Sequence, residues 1–353
     1  DATTNGDYVT VGAGYDSSVE SFPITVDTTV AIEPAEGVSS MPIIDASDSE
    51  SVAMEVTASG VELAGLEIVG AEGEDVIDQT GDNLLIDDVR IFVDGADAVN
   101  SEKTLDLLNS KIEGKDGDST GVDLYSGSPN DDSLIEANKF TSLGKGVIMN
   151  GVGTVEIFDN AFTSINEATS NPANTGYAVY YQTVNGTPNE NGVVLSENDF
   201  SDTGAAFFGG YVVDYLSLDL SDFTVEHNSF ENAGKKDGYG AVNTWRIYEA
   251  DGDIKGTLDV SKNWWGDKSG PTVIEDGTVT RESAGQEIVF GENTGGFTAE
   301  LTAKPYLNAP YPDGRLVGTI SGQNMDFEPE WNLMSVDFKP VDPTPAAVFN
   351  ATN

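Results

Sequence analysis

Cysteine is absent from this 353-residue chain. Disulfides and thiolate metal centres are therefore excluded, and the redox compartment leaves no mark. Histidine occurs once, at His227, which removes most imidazole chemistry. Basic residues are scarce: 16 Lys and Arg stand against 61 Asp and Glu, a formal charge of −45. Phosphate recognition needs clustered cations, so nucleic acid is excluded as a partner. Anionic membranes and polyanionic glycans are repelled at low salt for the same reason. No apolar run approaches the roughly 18 residues of a membrane span. No signal peptide is visible. The chain opens on Asp1, which fits a processed mature protein.

What is present argues for a folded chain. Apolar residues make up 38% of it, with 15 Phe, 12 Tyr and 4 Trp, more than an acidic disordered chain carries. An excess of surface carboxylate suits high salt or divalent cations, which screen self-repulsion.

The informative pattern is a repeat. A short apolar run leads to an Asn, one residue intervenes, and an aromatic follows. The copies are LIEANKF (Asn138, Phe140), VEIFDNAF (Asn160, Phe162), VVLSENDF (Asn198, Phe200), FTVEHNSF (Asn228, Phe230) and LDVSKNWW (Asn263, Trp265). LDLLNSKI (Asn109, Ile112) is a looser copy. From Asn109 to Asn263 the Asn-to-Asn steps are 29, 22, 38, 30 and 35 residues. A shortest step near 22, lengthened elsewhere by polar insertions, fits coils of a parallel β-helix. The apolar residues alternate, as in Val155, Ile157 and then Phe162, which marks strands with one buried face. An Asn at the same corner of successive coils can stack its amide on the next. It also tolerates the left-handed backbone of a tight corner, and the following aromatic is expected to stack inward along the core. The predicted fold class is all-β, a right-handed parallel β-helix solenoid with a small non-repeat β region at its C-terminal end. An all-β sandwich array is the competing reading, but it would need hairpin turns between nearly every pair of strands.

Three regions follow. Residues 1–50 read as an N-terminal cap or first coils, with alternation at Tyr8 to Val11, Ile24 to Val26 and Val30 to Ile32. Residues 51–271 carry the coils. Two polar stretches inside them, Gly114 to Asp132 and Thr163 to Pro188, read as lateral loops, the second rich in Tyr (Tyr177, Tyr180, Tyr181). Ala205 to Tyr215 is the most apolar run, explained by a buried coil or by an interface strand. The repeat stops after Pro271, so residues 272–353 read as a β extension with a Pro-rich tail (Pro329, Pro340, Pro343, Pro345).

NWWGDKSGPT, followed some thirty residues later by AKPYLNAP, resembles the last-rung signature of secreted right-handed β-helix repeat proteins. VTVGAGYDSSVESFPITVDTTVAIEP is similar to their N-terminal rung. That group is similar in fold to pectate lyases and periplasmic copper-site maturation proteins, and includes archaeal surface-layer and methanogen sheath proteins. The resemblance spans about Tyr8 to Pro310. It implies a fold far more strongly than an activity, because one fold hosts many functions.

Candidate chemistry is thin. Asp87-Asp88 with Arg90 is the best local group, yet strand alternation makes Asp88 and Arg90 an ordinary surface pair. Asp131-Asp132 carries no more information. The Gly-His-Gly and Arg-Ile-Lys segments of hydrolases with this fold are absent. His227 reads as a turn residue. KDGDSTG (Asp116, Asp118) and EADGDIKG (Asp251, Asp253) look like calcium loops, but position 12 counted from Asp116 is Gly127, not a carboxylate. No cofactor is certain; Ca²⁺ or another divalent cation is the expected ligand class. Asn185 and Asn350 sit in glycosylation triplets. The expected function is a non-catalytic extracellular structural protein that assembles with copies of itself into a cell-surface layer, sheath or filament. Expected contacts are Tyr8 to Val11, Phe207 to Val213, and the tail including Val348 and Phe349. A polysaccharide lyase or hydrolase, and a glycan-binding adhesin using the Tyr177 to Tyr181 segment, are the alternatives.

Overall fold

A computed structural model describes residues 7–115, 117–125, 132–150, 153–166, 175–183, 192–212, 218–234, 240–244, 254–291 and 298–317. The chain divides into two units, Asp1–Gly318 and Thr319–Asn353, and every described residue lies in the first.

The first unit is a right-handed parallel β-helix. Each full coil contributes one short strand to each of three long sheets of eleven, eight and twelve strands. One coil shows the plan: Leu84–Asp87 lies in the first sheet, Arg90–Asp94 in the second and Asp97–Ser101 in the third. Alternation fills the interior. In the first sheet a single register column runs Val9, Ile32, Leu63, Ile86, Leu107, Ile135, Ile157, Leu195, Val225. In the second, Ile44, Ile68, Ile91 and Ile112 give way in register to Phe140, Phe162, Phe200 and Phe230. From Ile32 and Ile44 onward these residues are buried. No single coil has an interior of its own, so burial exists only between neighbours.

The corner between the first and second sheets is one residue with positive φ: Asp88, Asn109, Ala137, Asp159, Glu197, His227 and Lys262 in successive coils. The repeat Asn is the next residue, turned inward. The expectation that Asn itself supplies the left-handed corner is thus corrected. The corner side chain faces outward, where nearly any residue is tolerated, whereas the inward position needs a group that satisfies backbone polar atoms. The looser copy shifts accordingly. Asn109 takes the corner, and Ser110 holds the ladder position, accepting the Val89 N–H at 3.0 Å through Oγ.

Three other expectations change. Thr120–Tyr125, inside the first expected lateral loop, is a strand of the third sheet with Val122 and Leu124 buried. Tyr177–Thr183 is a strand of the third sheet, not a lateral loop, with Tyr177 and Tyr181 buried. The coil pattern also does not stop at Pro271. Gly285–Phe290 pairs in parallel with Val242–Asn243 in the third sheet, and Glu300–Thr302 pairs with Thr257–Asp259 in the first. Gly285–Phe290 lies in the third sheet, away from the corner that carries the Asn-x-aromatic mark, and after Glu300–Thr302 that corner reads Ala303-Lys304-Pro305-Tyr306, with no Asn. Pro271–Glu275 and Thr278–Arg281 form an antiparallel hairpin that ends the third sheet.

Candidate functional site

Three features can bear function: the inner corner ladder, the outer face of the third sheet, and the two ends of the stack.

The ladder is closed on itself. The Oδ1 of Asn160 accepts the Asn138 backbone N–H at 2.9 Å and its Nδ2 at 3.1 Å. Asn198 serves Asn160 in the same way, Asn228 serves Asn198, and Asn263 serves Asn228. Each amide also donates to a carbonyl one coil back: Asn138 to Leu107, Asn160 to Ile135, Asn198 to Ile157, Asn228 to Leu195 and Asn263 to Val225, all at 2.7–2.8 Å. Buried amides are stable in this state because donors and acceptors are matched. Beside them Phe140 and Phe162 stack at 4.7 Å, Phe162 and Phe200 at 5.0 Å, and Phe200 and Phe230 at 5.4 Å, with Trp265 on Phe230 at 4.7 Å. Glycine makes room for the stack: a Cβ on Gly146 would lie 2.8 Å from the Phe162 ring and 2.4 Å from the Ala178 carbonyl oxygen. The repeat amides are architecture with their hydrogen bonds used up, and of the stacked aromatics only Trp265 keeps a polar atom, its buried Nε1–H, without a partner.

The outer face of the third sheet holds a cluster of partly buried carboxylates. Asp78, Asn100 and Asp123 stand in register on neighbouring strands, followed by Ile148 and Tyr180. Asn100 donates to Asp75 at 3.3 Å and to Asp78 at 3.5 Å; Asn150 donates to Asp123 at 3.2 Å. Asp75 accepts the Asp97 backbone N–H at 3.1 Å. Burial, then repulsion from Asp123 and Asp75, pushes the Asp97 carboxyl up to about 7, against the pull of Thr120 and Lys145. Burial also raises Asp123, opposed by Asn150 and Lys145. Lys145 Nζ lies 5.9 Å from the Tyr180 ring centroid. Sequence reasoning missed this group. Its members are single carboxylates on three consecutive coils, and only the register brings them together.

The other sequence candidates fare differently. Arg90 pairs with Glu67 at 3.2 Å, Asp87 accepts from Asn109 at 2.8 Å, and Asp88 is the corner residue. The three do not converge, so the surface pair of Asp88 and Arg90 is corrected to an Arg90–Glu67 pair across coils. Asp132 accepts the Thr154 N–H at 2.8 Å. His227 occupies a corner and stacks on Tyr311 at 4.8 Å. Asp118 is exposed, while Asp116, Asp251 and Asp253 lie outside the described residues. Among the described residues no group of three or more His, Cys, Asp or Glu is placed to hold a metal ion. Asn185, Asn350, Val213, Val348 and Phe349 also lie outside them. Phe207 is 2% exposed and packs 5.9 Å from Phe223, so it is core and not a contact surface. The buried Tyr177 and Tyr181 likewise remove the aromatic loop on which glycan binding was expected to rest.

The ends differ from the shaft. Val9 belongs to the first core column, yet it is 37% exposed, while Leu63 and every later member of the column are at most 1% exposed. Tyr8 on the same strand is 68% exposed, and Val11 is buried. Among described helices none is long and apolar enough to cross a membrane.

The class defined by this geometry is the parallel β-helix solenoid. No protein-family model, curated protein or solved structure matches the chain.

Proposed function

We propose that this chain is a non-catalytic, extracellular structural protein whose copies assemble into a cell-surface layer, sheath or filament, of the kind its last-rung sequence resembles. One observation carries the reading. Among the described residues most large exposed apolar side chains lie towards the ends of the stack: Tyr8, Val9, Val19 and Ile43 at the first coils, Val279, Tyr311 and Leu316 near the last, with Tyr125 the exception on the shaft. A solenoid end is an open strand edge over an open core, and it recruits whatever can continue it. Divalent cations relieve repulsion between chains that each carry −45. Sedimentation velocity at low and high salt, with and without millimolar Ca²⁺, tests this. Large species that grow with salt or Ca²⁺ are expected; a monomer under every condition removes the reading.

A second reading has the Asp97 group in its favour. A carboxyl raised to about 7 with other carboxyls beside it is the kind of arrangement used for acid–base cleavage of glycosidic bonds. Release of reducing or unsaturated ends from acidic polysaccharides, lost in Asp97→Asn, would support it.

A further inference from the structure

We propose that the contact between copies is polar, with the first coil of one molecule seated on the last coil of the next. The inference rests on the self-assembly reading above and adds which surfaces meet. Three observations on the molecule converge on it.

The first is the uncovered core. The opening coil is made of the strand Asp7–Val11, the 3₁₀ turn Ser17–Val19 and the strand Ile24–Val26. The 3₁₀ turn packs beside Ile43–Asp45, the outermost strand of the second sheet. Among the described residues the first sheet has no such cover: Asp7–Val11 is its outermost strand, and Val9 shows more than a third of its surface. The hydrophobic term therefore favours an occupant here.

The second is charge. No Lys or Arg precedes Arg90, while Asp1 to Asp88 hold 20 Asp and Glu. Glu20, Asp27 and Asp48 are exposed at this end. From Ile254 to Val317 there are six Lys and Arg against nine Asp and Glu. Three of those cations, Lys268, Lys304 and Arg315, are exposed and make no ion pair among the described residues. A first-coil-to-first-coil contact would press carboxylates together, whereas first-to-last brings them to free cations.

The third is shape. The last coil presents strand edges of the same sheets: Glu300–Thr302 ends the first and Thr278–Arg281 ends the third, with Val279 55% exposed. Contact between two different surfaces of one molecule is heterologous, and stacking end to end along the strand-stacking axis of the solenoid yields an open filament instead of a closed ring.

The test uses charge-swapped full-length chains under conditions where the wild type assembles. The first variant is Glu20→Lys with Asp27→Lys, and the second is Lys304→Glu with Arg315→Glu. All four positions are exposed, and a thermal melt checks each fold. Each variant alone sets like charge against like, so the concentration needed for assembly should rise about tenfold or more. An equimolar mixture should assemble again, because every junction then pairs opposite charges. Lys139→Glu, on the shaft, should leave assembly unchanged. Assembly of either variant alone at the wild-type concentration would overturn polar stacking while leaving self-assembly intact. A mixture as inert as its parts would overturn it too. A wild type that never assembles removes the underlying reading instead.

Discussion

The early and late coils solve the same corner with different chemistry. In the early coils the inward corner positions are Leu66 and Val89, and the column beside them is Ile44, Ile68, Ile91 and Ile112. In the late coils the same positions hold Asn138 to Asn263 and Phe140 to Trp265. Backbone and register are shared, so the corner does not require an amide. What differs is the chain between corners. Leu63, Ile86 and Leu107 follow one another at 23 and 21 residues, while Ile157, Leu195 and Val225 are separated by 38 and 30. A long excursion leaves many ways to return out of register, and an aliphatic contact discriminates poorly among them. A buried amide has one low-energy partner level, because any other strands its donors and acceptors. The amides accompany the longest steps, 38 and 35 residues, although the 22-residue step from Asn138 to Asn160 and the 31-residue early step from Ile32 to Leu63 depart from that trend.

That comparison can be broken at its centre. Asn198→Leu leaves the Asn160 N–H and the Ile157 carbonyl without their partners, at a cost of about 3–5 kcal/mol for several buried polar groups. Leu66→Ala, at the equivalent early position, removes apolar burial only and should cost about 2–4 kcal/mol without loss of register. Urea unfolding measures both. The late variant should also change the m-value if its coils slip or fray.

Phe162→Ala opens a gap between two stacked rings and should cost about 3–5 kcal/mol. Gly146→Ala attacks the same stack from outside by pushing into Phe162 and the Ala178 carbonyl, and about 1–3 kcal/mol is expected. Thermal melting ranks the two.

The early coils carry their own weakness on the third sheet. The Asp97 carboxyl is raised to about 7 from an ordinary value near 4, so between these limits the folded state holds a proton that the unfolded chain has lost. Stability from this group is greatest at low pH and falls as pH rises from about 4 through 7. Asp97→Asn should flatten that fall and stabilise the protein above pH 7 by on the order of 1–3 kcal/mol. Melting curves across pH 4 to 8 read this directly. The smallest effect is expected from Ser110→Asn, which lengthens the ladder by one coil and should shift stability by less than about 1 kcal/mol.

Much of this architecture was legible in the sequence. Asn-x-aromatic at coil spacing identified the ladder and ring stack because buried amides and rings leave few substitutes. The left-handed corner was not legible: Ala137, Glu197 and Lys262 all occupy it, so residue type carries little signal. At the ladder's start a hydroxyl stands in for the amide, and Asn109 one residue earlier misdirects the alignment. Tyr177–Thr183 reads as a polar loop because aromatic hydroxyls and flanking Asn resemble turn chemistry, yet the strand is fixed by neighbours on either side. The Asp97 group was hidden because each carboxylate is ordinary in its own segment. The ends are visible only in structure, since Val9 has the same alternation as every buried Val.

The most direct measurement is electron microscopy with diffraction from the assembled protein. Eleven strands at about 4.8 Å set an axial repeat of roughly 50 Å if first and last coils meet. Filaments with that repeat and a reflection near 4.8 Å along their axis are expected. Single particles at every salt and Ca²⁺ concentration would contradict the structural role.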